Sequence, residues 1–206
     1  MNTDAIHVPA ASFIHPLVSV VERLDLGRMF PQAQPLEIEL GSGDGSFLSQ
    51  YAGRHRERNF IGVERLLGRL RKLDRKSIRL GLSNVRAVRI EAGYFLEHLL
   101  PSESAEALHI YFPDPWPKRR HHKHRLINER FPSLARQALA EGGVVYLRTD
   151  DAAYFAQMKE VFAACDAFAE TPTPEELAGT LTDFERGFLA KGIQTLRAAF
   201  RKIKHQ

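Results

Sequence analysis

The chain has 206 residues, of which 44% are hydrophobic and 26% charged, as in an ordinary globular protein, and its length fits one domain. Lys and Arg number 29 against 25 Asp and Glu, and a net charge of +4 says little by itself about a polyanionic partner. The one cysteine, Cys165, excludes an intrachain disulfide and a cysteine-based zinc site. We expect a cytoplasmic protein with no signal peptide, no membrane span and no bound metal.

Residues 1–35 show no clear period and carry four prolines, so we expect an N-terminal extension packed on a single domain of residues 36–206. A short amphipathic helix is predicted around residues 17–26. From Leu36 onward, strand-like and helix-like patterns alternate. The predicted strands are 36–40, 60–64, 85–90, 108–112 and 143–149, and the predicted helices are 46–55, 65–81, 124–140 and 152–165. Pro172 and Pro174 mark a loop, and residues 192–202 begin with strand-like alternation.

Alternating strands and helices predict an α/β fold with a mainly parallel sheet that is covered on both faces. Such sheets bind ligands beyond the carboxyl ends of their strands, near the point where the strand order switches. We therefore expect functional residues at the strand ends, namely at 41–45, Glu64, Glu91, 113–118 and 148–151.

A glycine-rich turn, Gly41-Ser42-Gly43-Asp44-Gly45, follows the first of these strands and opens a helix. Its three glycines let the backbone turn tightly and come close to a ligand. Glu64 ends the next strand, where an acid can accept hydrogen bonds from both hydroxyls of a ribose. The turn and Glu64 together predict a cofactor that contains a nucleoside.

The kind of cofactor is indicated by Glu39, which lies just before the turn. Dinucleotide sites use the spacing G-x-G-x-x-G, whereas this turn reads G-x-G-x-G, and a carboxylate beside it would repel a pyrophosphate. The same carboxylate suits the ammonium or sulfonium of S-adenosylmethionine. After the third strand, Glu91-Ala92 is placed to accept a hydrogen bond from an adenine amino group.

The most specific stretch runs from Tyr111 to Arg125, where a strand end leads into Pro-Asp-Pro-Trp-Pro. It presents Asp114 and Trp116, which suit a pocket for a flat polar group, although Trp116 is as readily a buried structural residue as a stacking partner. Eight basic or titratable residues follow. The predicted phosphate-binding residues are Lys118, Arg119, Arg120, Lys123 and Arg125, with His121 and His122 as hydrogen-bond partners. A metal site from the histidines is disfavoured, because the run contains no carboxylate and its cations oppose a metal.

Several of these segments resemble the bacterial tRNA (guanine-N7)-methyltransferases of the TrmB type, over about residues 36–190. The segments are LEIELGSGDGSFL, FIGVE, the Glu-Ala pair and, above all, YFPDPWPKRRHHKHRLI. The resemblance implies a class I methyltransferase fold, a Rossmann-like three-layer sandwich around a mostly parallel seven-stranded sheet. It implies S-adenosylmethionine as donor, S-adenosylhomocysteine as product, and the variable-loop guanosine of tRNA, position 46, as acceptor. The enzyme would act as a monomer or a homodimer.

The resemblance also assigns residues by motif. On the donor side it places Glu39, Glu64, Glu91 and Asp114, with Asp114 also the catalytic candidate. The turn glycines and the Glu-Ala pair complete the predicted donor site with Gly41, Gly43, Gly45 and Ala92. On the substrate side it places Lys118, Asp150, Thr182, Asp183, Phe184 and Glu185. Either Asp150 or Asp151 is expected to read the substrate while the other caps the next helix.

The sequence departs from the family pattern at three places. The adenine-side acid, usually Asp, is the longer Glu91. The late motif reads Phe-Glu-Arg-Gly, one residue shorter than usual, which puts the role of Arg186 in doubt. His124 replaces a common Arg, which weakens one phosphate contact at neutral pH.

Three other function classes stay open on the sequence. A dinucleotide-dependent oxidoreductase is opposed by the glycine spacing and by Glu39. A non-catalytic RNA-binding module is opposed by the intact acids at the strand ends. A methyltransferase for another nucleobase or a small molecule is opposed by the FPDPWPK segment.

Overall fold

The computed structural model describes residues 12–204 and contains one mixed sheet. The strands are β1 (Ile14–His15), β2 (Leu36–Leu40), β3 (Asn59–Val63), β4 (Val85–Val88), β5 (Ala105–Tyr111), β6 (Leu139–Thr149), β7 (Phe168–Thr171) and β8 (Leu196–Lys202). Their spatial order is β1-β4-β3-β2-β5-β6-β8-β7, and β8 runs antiparallel to β6 and β7 while the others pair in parallel. The α/β class and mostly parallel sheet are confirmed. The strand count is eight rather than seven, because two residues of the N-terminal segment add β1 at the edge.

Helices cover both faces of the sheet. They are α1 (Leu26–Met29), α2 (Ser46–Arg54), α3 (Leu67–Arg79), α4 (Ala92–Tyr94), α5 (Phe131–Ala138), α6 (Ala152–Ala163), α7 (Glu175–Gly179) and α8 (Asp183–Leu189). A π-helical turn, Phe95–Leu99, continues α4, and a 3₁₀ helix spans Arg119–His124. No helix in the described part of the chain is long and apolar enough to cross a membrane.

The two faces of the sheet differ in polarity, because alternate residues of a strand point to opposite sides. One face carries apolar side chains such as Ile38 and Leu108, which pack with α5 and α6 into the main core. The other face carries Glu37 and His109, whose side chains are hydrogen-bonded at 2.7 Å in the interior. His109 also hydrogen-bonds the hydroxyl of Tyr111 at 2.8 Å. This polar face lies beneath α2 and leads towards the carboxyl ends of β2 and β5.

The predicted strands and three of the four predicted helices from residue 36 onward are present, with shifted ends. The helix predicted over 124–140 begins only at Phe131, because Pro132 lacks an N–H and fits the first turn of a helix but not its interior. The loop expected around Pro172 and Pro174 follows the short strand β7 and is succeeded by α7 and α8, neither of which was predicted.

The N-terminal segment packs on the sheet edge. Its β1 pairs with β4, and the Phe13 amide donates to Asp74 Oδ1 at 2.7 Å. The helix predicted around residues 17–26 is absent; a four-residue helix, α1, starts at Leu26 with Asp25 as its cap. Residues 1–11 of the predicted extension lie outside the described residues, and the boundary at residue 35 stays a prediction.

The glycine before α2 gives a stability test. Gly45 has φ +75°, and a Cβ there would lie 2.4 Å from Leu73 Cδ1 and 2.9 Å from Leu73 Cβ. Gly142 has φ +73° with nothing within 4 Å of a Cβ. We expect Gly142→Ala to lower the free energy of unfolding by about 1 kcal/mol, from backbone strain alone. Gly45→Ala should lower it by about 3 kcal/mol or more, because overpacking against Leu73 adds to the strain. Urea unfolding followed by circular dichroism measures both, and equal losses would contradict the close contact at Gly45.

Candidate active site

The carboxyl ends of β2 to β6 meet at one edge of the sheet, because these strands are parallel. The chain proceeds outward from β2 to β3 and β4, and then returns to β5 on the other side of β2. The strand order therefore switches beside β2, and a crevice at such a point is the usual ligand site of an α/β sheet. The glycine-rich turn that follows β2 lies at this point.

All three glycines of the turn adopt left-handed backbone conformations, with φ of +78° at Gly41, +55° at Gly43 and +75° at Gly45. The amides of Gly41 and Ser42 both donate to the Val63 carbonyl, at 2.8 and 3.0 Å, which ties the turn to the end of β3. A Cβ at Gly41 or Gly43 would meet nothing within 4 Å. The turn thus leaves open space beside its backbone, as a close-lying ligand requires.

Glu64 lies against this turn. Its Oε2 accepts a hydrogen bond from the Gly43 amide at 3.2 Å and its Oε1 accepts from the Leu66 amide at 2.8 Å. The side chain is buried, with the Arg69 guanidinium 3.9 Å away. The structure therefore brings the glycine turn and the predicted ribose acid together.

Glu39 carries a buried side-chain oxygen without a hydrogen-bond partner among residues 12–204. The residue is 3% exposed, and its Oε2 has no hydrogen-bond partner within the described residues. Burial raises the pKa of the Glu39 carboxyl well above its ordinary value, and the Arg148 guanidinium only partly opposes that rise. A buried carboxylate oxygen without a partner is costly unless a cation or donor arrives to pair with it. Glu39 thus suits a cationic ligand at the start of the glycine turn.

Glu91 has a structural task in addition to its predicted one. Its carboxylate caps α4, accepting from the Gly93 amide at 2.9 Å and from the Tyr94 amide at 2.7 Å. The residue is exposed and Ala92 half-buried at the end of β4. Glu91 and Ala92 thus lie at the expected edge of the sheet, and both carboxylate oxygens of Glu91 accept hydrogen bonds from backbone amides.

Asp114 lies exposed in the loop after β5. Its Oδ1 accepts from the Trp116 amide at 3.1 Å. The flanking residues Phe112 and Trp116 have φ of +53° and +44°, values rare for residues with a side chain. Such strain concentrates at functional sites, where surrounding contacts enforce it. Trp116 is half-buried, with its ring 5.2 Å from that of His124.

The basic run after this loop folds into the 3₁₀ helix. Most of its predicted phosphate-binding side chains are exposed, namely those of Lys118, Arg119, Arg120 and Lys123, while His121 and His122 are half-buried. Among residues 12–204, no three His, Cys, Asp or Glu side chains are grouped so that they could hold a metal ion.

The prediction that Arg125 binds phosphate is wrong. Arg125 is only 4% exposed, and its Nε donates to the Pro115 carbonyl at 2.7 Å. Its guanidinium also hydrogen-bonds Gln157 and lies 4.6 Å from the ring centroid of Tyr154. Arg125 therefore anchors the Asp114 loop on α6 instead of facing solvent.

Of the two roles expected for the acids that follow β6, the helix cap is observed. Asp151 caps α6, with its Oδ1 accepting from the Tyr154 amide at 2.7 Å. Asp150 is exposed at the site edge. A substrate contact by Asp150 stays a prediction.

The late motif forms the start of α8. Thr182 and Glu185 make a reciprocal capping box, in which the Thr182 hydroxyl accepts from the Glu185 amide at 3.0 Å and Glu185 Oε2 accepts from the Thr182 amide at 3.1 Å. The Asp183 amide donates to the Ser46 hydroxyl at 3.1 Å, which docks α8 on the start of α2, directly after the glycine turn. Asp183 and Phe184 are exposed, whereas Glu185 is fully buried. Direct substrate contact by these four residues stays a prediction.

The sequence analysis includes Arg148 in the strand end 148–151 but assigns it no role; the residue lies at the end of β6 and is 1% exposed. Its Nη1 donates to Glu185 Oε2 and to the Thr180 carbonyl, both at 2.8 Å. The guanidinium also lies 4.1 Å from the ring centroid of Tyr111. The available signal was a lone arginine within the apolar run GVVYLRT, since an arginine on a buried strand requires an internal acid.

Comparison with known proteins agrees with this geometry. A family model described as "Putative methyltransferase" matches residues 33–198. The tRNA (guanine-N(7)-)-methyltransferase of Alkalilimnicola ehrlichii is 35% identical over 88% of this chain and 78% of its own length. The chain belongs to the TrmB-type tRNA (guanine-N7)-methyltransferase family. Its relatives include the Halorhodospira halophila enzyme, 36% identical over 86% of this chain and 80% of its own length.

Solved structures of low identity share the fold. The 16S rRNA methyltransferase KamB superposes with a TM-score of 0.63 at 15% identity, covering 89% of this chain and 95% of its own. The 30S ribosomal A1408 methyltransferase from an uncultured bacterium gives a TM-score of 0.63 at 17% identity, covering 88% and 96%. The class I methyltransferase fold expected from the sequence is thereby confirmed.

The buried Glu39 carboxyl leads to a pH-dependent prediction. Its raised pKa means that the folded protein holds this proton more tightly than the unfolded chain, so the stability present at low pH is lost as pH rises through the folded pKa. We expect Glu39→Gln to match the wild type near pH 4. At neutral pH and above, the ligand-free variant should be more stable by on the order of 1 kcal/mol, or about 2–4 °C in Tm.

Thermal unfolding of both ligand-free proteins between pH 4 and pH 8 measures this difference. Glu141→Gln, which removes an exposed carboxylate, is the control and should show no pH-dependent difference. A Glu39→Gln advantage that stayed constant with pH would contradict a raised pKa at Glu39.

Proposed function

We propose that this protein transfers the methyl group of S-adenosylmethionine to N7 of a guanosine in tRNA, at position 46 of the variable loop. The observation that carries the proposal is the placement of the Asp114 loop and its cationic 3₁₀ helix at the same sheet edge as the glycine turn. The names of the relatives, all tRNA (guanine-N(7)-)-methyltransferases, support the acceptor. The proposed action on tRNA supports a cytoplasmic location.

The residues at the glycine turn fit the proposed donor. When bound, S-adenosylmethionine supplies an electrophilic methyl group on a sulfonium. The unpaired Glu39 carboxylate oxygen would pair with a cationic group of the donor, and Glu64 would accept hydrogen bonds from its ribose hydroxyls. Glu91 and Ala92 would border its adenine, although the Glu91 oxygens already accept two backbone hydrogen bonds. Glu39→Gln should accordingly weaken donor binding while it stabilises the ligand-free protein.

Guanine N7 carries a lone pair and no proton, so the acceptor needs no general base to become nucleophilic. Catalysis then depends on positioning and on electrostatics. The exposed Asp114 carboxylate would accept hydrogen bonds from the guanine N1–H and amino group, which orients the base. The same negative charge would stabilise the positive charge that the base gains with the methyl group.

The cations of the 3₁₀ helix would hold the phosphates of the tRNA near this base. Lys118, Arg119, Arg120 and Lys123 are exposed and follow Asp114 by four to nine positions in the chain. Phosphate contacts of this kind position a nucleic acid without reading its sequence. The choice of guanine would come from the Asp114 loop.

The direct test uses methyl-labelled S-adenosylmethionine and two tRNA transcripts, one with guanosine and one with adenosine at position 46. We expect label only in the guanosine transcript, with chain cleavage at position 46 by chemistry selective for 7-methylguanosine. Label in both transcripts would contradict position 46 as the methylated site but would still support methyltransferase activity on tRNA. Label in neither, with donor binding intact, would discard the proposed acceptor.

The role of Asp114 gives a second prediction. Asp114→Asn should lower the methylation rate by about 10²–10³-fold, because it removes the charge that faces the methylated base. Donor affinity, measured by calorimetry, should change by less than a few-fold. Asp25→Asn is the control, since Asp25 is an exposed helix cap far along the chain and Asn caps equally well. Equal rates for Asp114→Asn and wild type would exclude the proposed role.

A further inference from the structure

A cleft of about 560 Å³ separates α3 from α8 and reaches the glycine turn at Gly43. Phe184 and Phe188 line it from the α8 side, and Phe184 is 56% exposed. The ring of Phe112, which precedes the Asp114 loop, lies 5.5 Å from that of Phe188. The cleft is thus continuous, through an aromatic cluster, with the proposed catalytic loop.

Cations stand on both walls of this cleft, with Arg69 and Lys72 on α3 and Lys191 just beyond α8. Within the described residues, neither lysine forms an ion pair within 4 Å, and Arg69 has only Glu64 at 3.9 Å. The three cations are therefore available to an incoming anion.

Each acid that borders the cleft has partners of its own. Asp44 pairs with Lys76 at 3.0 Å, and Lys76 and the nearby Lys72 both lower the Asp44 pKa against the effect of burial. Asp183 is ion-paired with Arg186 and lies 3.9 Å from Lys76. Glu64 accepts two backbone hydrogen bonds. The excess charge of the cleft is positive.

The cleft cations of α3 belong to a strongly basic segment. Residues 65–79 contain seven cations and one acid, Asp74, whose carboxylate accepts hydrogen bonds from the Ser12 hydroxyl and the Phe13 amide. Of these cations, only Arg69 and Lys72 line the cleft. The other cations of the segment therefore add to the overall positive field and not to the contacts within the cleft.

The topology places this surface and the cationic 3₁₀ helix on opposite sides of the glycine turn. β2 lies between β3 and β5, α3 follows β3, and the 3₁₀ helix follows β5. A nucleic acid whose target base reaches the site between them passes both surfaces.

We propose that the cleft between α3 and α8 binds the tRNA next to its target nucleotide, with backbone phosphates on Arg69, Lys72 and Lys191 and an unpaired base against Phe184. Cations beside an exposed aromatic ring are the usual means of holding single-stranded RNA. The inference rests on the proposed function in taking tRNA as the substrate. It adds a second contact surface, separate from the 3₁₀ helix.

Two double variants of α3 test this surface. Arg69→Ala with Lys72→Ala removes two charges from the cleft face, and Arg71→Ala with Arg75→Ala removes two exposed charges from the neighbouring face. Binding of a fluorescent tRNA transcript is measured by anisotropy over a range of salt concentrations, without donor. Circular dichroism and S-adenosylhomocysteine binding check that each variant is folded.

We expect the cleft pair to raise the Kd for tRNA about tenfold and to reduce the slope of log K against log salt by about 2, since two phosphate contacts are lost. The control pair should stay within about twofold of wild type with an unchanged slope. Phe184→Leu should weaken binding while leaving the slope unchanged, because the ring carries no charge.

Equal effects of the two pairs would show a general influence of net charge and overturn the inference, as would an unchanged Kd in the cleft pair. If wild type methylates the guanosine transcript while the pairs behave alike, the inference alone fails. If wild type does not bind tRNA, the inference and the proposed function both fail.

Discussion

The buried guanidinium of Arg148 is the interaction on which the site geometry depends. Arg148 lies at the end of β6, and its guanidinium donates hydrogen bonds to the segment that contains α7 and the start of α8. The acceptors are the Leu177 and Thr180 carbonyls and the Glu185 carboxylate. Arg197 of β8 contacts the other Glu185 oxygen at 2.9 Å. This charge cluster binds a segment that would otherwise lie loosely on the surface. It brings Asp183 and Phe184 beside the glycine turn.

Buried ion pairs of this kind contribute more to a unique arrangement than to net stability, since their desolvation offsets much of their attraction. The cluster also sets the charge around Glu39, whose pKa the Arg148 guanidinium lowers against the larger effect of burial. The same arginine therefore fixes the position of α8 and keeps the Glu39 carboxyl closer to its charged form. Loss of Arg148 would leave Glu185 with Arg197 as its remaining cationic partner.

Much of the fold and the site edge could be predicted from sequence, and the exceptions share physical causes. The strand at 36–40 matches its predicted bounds, because its alternation of Leu and Ile with Glu is the two-residue period of a strand. The segments α7 and α8 were missed because they are short and are held by the distant Arg148. The sequence predicts Arg125 as an exposed residue, because a run of cations gives no sign of which member is buried. Its burial depends on Tyr154 and Gln157, some 30 residues later in the chain.

The unpaired oxygen of Glu39 has a consequence for how this chain responds to selection. Because the buried carboxylate destabilises the ligand-free protein, its replacement should raise the thermal stability of that protein. A search for thermostable variants in the absence of cofactor would therefore favour molecules that lack the proposed donor contact at residue 39.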